Sequence, residues 1–181
     1  MTDRVVAHQG AACWATLFTH AHYLPCLAVL LQSMRACQTR YPLVVMVTKT
    51  VDARTRERLT RMGCVLRDVD AWRVPHADGS LAFERFQNVW TKLRAFELYE
   101  YERVVMIDSD MLMCHNMDEL FDLPLERGMI AAALACTCNP KQIPTYPAEW
   151  TPRNCGYALR PHPPNDTRQL TKPTHRLINS G

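Results

Sequence analysis

Short apolar runs that alternate with helix-spaced residues leave this chain few ways to fold. Cys13 to Thr19 (CWATLFT) reads as a buried strand, and Pro25 suits the first turn of a helix whose Leu27, Leu30, Leu31 and Met34 share one face. Tyr41-Pro42 breaks the chain, and the β-branched run Leu43 to Thr48 (LVVMVT) reads as a second strand. Asp52 is placed to cap the next helix, Thr55, Leu59 and Met62 line one face of it, and Gly63 closes it as a left-handed residue. Cys64 to Val69 is a third strand, followed by a loop from Asp70 to Ser80. Val89, Leu93 and Phe96 make another helical stripe reaching about Tyr99, and Arg103 to Ile107 (RVVMI) is a buried fourth strand. Asp118 to Phe121 reads as a single helical turn stopped by Pro124, and Ile130 to Ala135 as a further strand. Strands that alternate with helices predict an α/β fold: a mainly parallel sheet with helices on both faces, since parallel neighbours need a crossover. Ligands of such sheets bind beyond the carboxyl ends of the strands. Thr19-His20 and Asp108-Ser109-Asp110 are polar segments at such ends.

The length of 181 residues suits one domain, 1–181, and a hydrophobic fraction of 48% is enough for a packed core. A net charge of +3 supplies no basic face, which argues against a nucleic-acid partner but suits an anionic small ligand. No apolar run approaches the ~18 residues of a membrane span. Met1 to Gly10 carries charges and no apolar core, unlike a secretory signal. The eight cysteines are scattered, several within apolar segments, and read as reduced, mostly buried thiols of a cytoplasmic protein. Cys136-Thr137-Cys138 is the closest pair, and its spacing is not that of a zinc knuckle. The sequon Asn165-Asp166-Thr167 carries no weight without a secretory signal. From Thr137 to Thr174 the chain holds eight prolines and little periodicity, so residues 137–175 read as a Pro-rich insert or an acceptor-side loop.

Asp108-Ser109-Asp110 directly follows an apolar strand. Two carboxylates so close to a core repel each other and lose solvation, and a divalent cation relieves both costs. Alternate residues of an extended segment face the same side, so both side chains reach one ion. A magnesium- or manganese-type ion takes one or two carboxylates and completes its octahedron with phosphate oxygens and water. Taken alone, the tripeptide fits two solvated acids in a turn equally well. A haloacid dehalogenase-type phosphatase also places Asp-x-Asp after a strand, but near the N-terminus and without a following Met-Leu.

Further segments, in order, carry a resemblance. Ala15-Thr-Leu-Phe-Thr-His-Ala-His-Tyr23, Ala28 to Met34, Leu43 to Thr48, Thr91-Lys92-Leu93, Tyr101 to Leu112, Asn116-Met-Asp-Glu-Leu-Phe121 and Asn179-Ser180-Gly181 together resemble glycogenin-like glycosyltransferases of family 8. The resemblance implies a GT-A fold and retaining transfer of a hexose from a UDP-sugar to an acceptor, with manganese (Mn2+). It implies that Leu17, Thr19 and Tyr23 contact uracil and ribose, with Tyr23 stacked on the base. Lys92 faces the diphosphate or donor sugar, Arg85 is a second cation for the phosphates, and Asp108 and Asp110 bind the metal. Ser109 lies against ribose through its backbone, and Asn179 and Ser180 approach the sugar hydroxyls. His20 replaces a familiar Asn and retains the capacity to bond a uracil carbonyl. Without the resemblance, Tyr23 reads equally as a packing aromatic, Lys92 as a solvated lysine and His20 as a surface histidine.

The Tyr-containing region where glycogenin glucosylates itself is not seen, and the Pro-rich segment departs from glycogenin. The family continues beyond Asn-Ser-Gly to a third metal ligand in His-x-x-Gly-x-x-Lys, whereas His162 and His175 precede Asn179. The expectation is therefore a domain cut short at its C-terminal side. The partners are a UDP-sugar and an acceptor, with a homodimer compatible with the pattern. An inactive UDP-sugar-binding fragment is the second reading, and the phosphatase ranks below both.

Overall fold

The structure is a computed structural model and describes residues 12–72, 89–126, 128–133, 136–144, 146–153 and 155. The chain divides into two compact units, Met1–Leu123 and Pro124–Gly181.

In the first unit four parallel strands form one sheet: β1 (Ala12–Phe18), β2 (Leu43–Val47), β3 (Val65–Asp68) and β4 (Arg103–Met106), in the order β3-β2-β1-β4. β1 and β2 are central, so both of their faces need cover, and their sequences are apolar at successive positions. Trp14, Phe18, Val45 and Val47 pack with α1 (Leu24–Ala36) and α2 (Ala53–Arg61) on one side. Cys13, Ala15, Val44 and Met46 pack with Ala95 and Leu98 on the other. Helical segments therefore cover both faces, as predicted. Burial pushes the Cys13 and Cys64 thiols up to about 12 and about 11, which disfavours the thiolate at both.

Local chemistry sets the helix limits. Pro25 lies in the first turn of α1, and Leu24, Leu27, Leu30, Leu31 and Met34 form its buried face. Asp52 caps α2 by accepting bonds from Thr55 N (2.9 Å) and Thr55 Oγ1 (2.8 Å), which hold its carboxyl below the usual range. Gly63 ends that helix at φ +89°. An added Cβ there would stand 3.1 Å from the Arg35 guanidinium, which donates to Met62 O.

Trp14 Nε1 donates to Thr39 Oγ1 (2.8 Å), and the indole meets Phe121 edge-on at 5.0 Å. Thr39 in turn donates to the buried carboxylate of Asp118, which also accepts from Arg40 N (3.0 Å) and Arg40 Nε (3.4 Å). Asn116 Oδ1 accepts from Asp118 N (2.8 Å), and Asn116 Nδ2 donates to Cys37 O (3.1 Å). The 3-10 turn Asp118–Asp122 is thereby tied to the loop between α1 and β2. Burial alone would raise the Asp118 carboxyl, but the bonds from Thr39, Arg40 and Asn116 outweigh it and hold it below its ordinary value.

Three expectations are corrected. The stripe of Val89, Leu93 and Phe96 is not a core face: Val89–Glu97 is a 3-10 segment, and Leu93 and Phe96 are 37% and 62% exposed. The tighter winding turns Thr91 and Ala95 inward instead. β4 is half-buried rather than buried, because it has β1 as its one neighbour among the described strands. Residues 130–133 form no strand, and Ile130 is exposed.

In the second unit the described residues form neither helix nor extended strand. Turns carry it instead: Asn139 Oδ1 accepts from Ile143 N (2.8 Å), and Trp150 N donates to Pro147 O (3.0 Å). The Cys138 thiol, hydrogen-bonded to the sulfurs of Cys155 and Cys136, is pushed up to about 12.

Candidate functional site at the carboxyl ends of β1 and β4

From β1 the sheet grows outward through β2 to β3 on one side, and then resumes on the other side with β4. The neighbours β1 and β4 thus flank the point where the order reverses, which is where ligands of open parallel sheets bind. One residue beyond their ladder, Ile107 N still donates to Ala15 O (2.9 Å). The chain therefore leaves the sheet at Asp108, beside the end of β1.

Asp108 and Ser109 are half-buried and Asp110 is exposed; Met111 N closes a turn onto Asp108 O (3.2 Å). Lys92 Nζ donates to Asp108 Oδ1 at 2.6 Å, with side chains 20% and 21% exposed. Such partial burial makes this pair stronger than a surface ion pair. Thr91 aims the lysine: it is fully buried, and its Oγ1 accepts from Trp72 N (3.0 Å).

At the end of β1, Leu17 is half-buried, and Thr19 Oγ1 and His20 Nδ1 share a 2.8 Å hydrogen bond. Tyr23, at the start of α1, presents an exposed ring against that of His22 at 4.1 Å. Thr50 Oγ1 donates to Thr19 O (2.7 Å) and contacts Thr48 Oγ1 (2.6 Å), so the end of β2 holds the end of β1 in place. Sequence reasoning missed Thr48 and Thr50, although Thr48-Lys49-Thr50 is itself a polar strand exit. It also missed Arg94, which donates to Asp70 O (3.1 Å) and lies 5.5 Å from the Trp72 ring.

The structure thus brings Lys92 onto Asp108, and Thr19 onto His20. Arg85, Asn179 and Ser180 lie outside the described residues. For a metal, Asp108 and Asp110 offer carboxylate oxygens on alternate residues, a donor set that fits a hard divalent cation completing its shell with phosphate and water. Among the described residues no third His, Cys, Asp or Glu completes a cluster with them.

The all-parallel sheet with helical segments on both faces is a GT-A-like α/β fold. The same fold is found in the apo structure of the WbbM bifunctional glycosyltransferase, with a TM-score of 0.53 and 22% identity over 74% of this chain and 24% of that one. Residues 15–159 match Glycosyl transferase family 8, and the chain belongs to that family. It is 30% identical to galactinol synthase 5 of Arabidopsis thaliana over 139 residues, 76% of this chain and 41% of that protein. Identity is 32% with galactinol synthase 2 of Solanum lycopersicum and 34% with galactinol synthase 2 of Ajuga reptans, each over 61% of this chain. The chain spans between 32% and 41% of the length of these relatives. The family match decides against the phosphatase. Among the described residues no helix is long and apolar enough to cross a membrane.

Proposed function

We propose that the ends of β1 and β4 form the UDP-sugar half-site of a retaining hexosyltransferase that works with manganese. The observation that carries this reading is the Lys92–Asp108 pair at the reversal of strand order, beside a second carboxylate at Asp110. Asp108 and Asp110 would hold the metal. When bound, the ion stabilises negative charge on the departing nucleoside diphosphate.

The chain's own residues bind and orient the donor. Tyr23 stacks on uracil, His20 bonds a uracil carbonyl, and Leu17, Thr19 and the backbone of Ser109 border the base and ribose. Lys92, paired here with Asp108, would face the phosphates of a bound donor, where an ammonium acts as a mobile point charge. Arg85 adds a second cation there, and Asn179 and Ser180 meet the sugar hydroxyls. UDP leaves and the acceptor takes the sugar on the same face. Because several relatives are named galactinol synthases, galactinol formation is the first activity to assay.

The test is a titration of UDP-glucose, UDP-galactose and UDP-N-acetylglucosamine with manganese, followed by product analysis. The reading requires that at least one donor bind in a manganese-dependent way. If none binds more tightly than uridine, with or without metal, the reading fails.

A further inference from the structure

Three sulfurs converge in the second unit. The Sγ atoms of Cys136, Cys138 and Cys155 all lie within 4.8 Å of one another. Cys136 and Cys138 are alternate residues, which lets both side chains face one side of the chain. Thr137 between them is buried. Its backbone N–H donates to Cys155 Sγ at 3.2 Å. A donor of this kind favours the charged sulfur and is the outer support that metal-bound ligands commonly receive. Burial is graded from Cys155, which is buried, through half-buried Cys138 to exposed Cys136, so the cluster has an open side by which an ion can enter. The described residues around it form neither helix nor extended strand. Units with so little regular structure are commonly stapled by a metal or a disulfide.

We propose that Cys136, Cys138 and Cys155 bind a thiophilic cation, zinc(II), which ties the Cys-x-Cys segment to Cys155 across the Pro-rich loop. Each thiol gives its proton to solvent as its sulfur–zinc bond forms, and water or one further donor takes the fourth tetrahedral position. With zinc–sulfur bonds of ~2.3 Å, tetrahedral geometry sets the sulfurs roughly 3.8 Å apart, so the group has only a short way to contract. Soft sulfur separates this site from Asp108 and Asp110, whose oxygens suit a hard ion. The sequence spacing conceals the site, because one residue rather than two to four separates the first two ligands. The site does not depend on the sugar-transfer reading, since its residues and its ion are different.

The experiment uses the full chain purified under reducing conditions without chelator. The expected results are about one zinc per chain, three thiols that react with a thiol reagent only after a chelator removes the ion, and a thiolate-to-cobalt charge-transfer band on cobalt(II) substitution. These measurements need no variant and therefore stand even if a substitution impairs folding. Cys136→Ser, Cys138→Ser and Cys155→Ser should each weaken zinc by more than the ~10–100-fold that losing an outer-shell partner costs, while the exposed Cys26→Ser should not. Absence of retained zinc together with no saturation at one added equivalent would overturn the proposal. So would a disulfide among the three cysteines, seen as a mass lower by two hydrogens, or equal zinc affinity in all four variants.

Discussion

Lys92 Nζ and Asp108 Oδ1 meet at 2.6 Å from opposite sides of a sixteen-residue separation, where the strand order of the sheet reverses. The pair stores a cation next to the place proposed for a diphosphate. Lys92→Ala should weaken UDP at least about tenfold, a loss of about 1.4 kcal/mol, because a charge-assisted bond to phosphate is removed. Uridine has no phosphate, so its affinity should not change. Calorimetric titration of both ligands checks this, and equal losses for the two would instead make Lys92 a support for its own segment.

Tyr23 presents an exposed ring at the end of β1. Tyr23→Ala should cost UDP and uridine alike about 1–3 kcal/mol of affinity, the range for one base stacked on an aromatic ring. Tyr23→Phe keeps the ring and should retain most of the affinity. An unchanged Tyr23→Ala would remove the stacking role.

Asp118 is the buried acid among the described residues of the first unit and lies away from the proposed chemistry. Asp118→Asn should destabilise the fold by about 2 kcal/mol or more, since charge-assisted bonds from Thr39 and Arg40 are lost or weakened in a buried setting. The folded carboxyl lies below its unfolded value, which is near ~3.9. Its contribution is therefore fully present above about pH 5 and is lost as pH falls through the folded value. The gap in melting temperature between parent and variant should be widest near neutrality and narrow below about pH 4. A gap independent of pH would contradict the charged network.

Trp14 fills the core between the sheet and Phe121 while its N–H is satisfied by Thr39. Trp14→Ala should lower stability by about 3–5 kcal/mol in chemical denaturation. A loss under about 1 kcal/mol would mean that this core collapses around the gap.

The central strands were legible because β2 is apolar over its whole length and β1 is interrupted by Thr16 alone: the Leu43–Val47 run is buried throughout, as the sequence implies. Asp52 and Gly63 were equally legible, since a cap and a left-handed residue are local chemistry. Leu93 and Phe96 misled because spacing of three and four residues looks alike over so short a stretch, and it is Ala95 and Leu98 that pack on the sheet. At the site, Asp108 and Lys92 were each visible in sequence, but their contact depends on a tertiary fold that brings distant segments together. The thiol cluster was hidden for the same reason: Cys155 joins Cys136 and Cys138 through chain geometry that no local pattern records.

The most direct measurement is manganese-dependent binding of UDP to the full chain and to its Asp108→Ala and Asp110→Ala variants, with circular dichroism as a check on the fold. Asp110 is exposed and makes the cleaner variant; Asp108→Ala also strips Lys92 of a carboxylate partner. The account predicts that the parent binds UDP with manganese and more weakly without it, and that both variants lose the manganese-dependent part while keeping their secondary structure. Folded variants that bind UDP with manganese as well as the parent does would contradict the assignment of this strand end as the metal and diphosphate site.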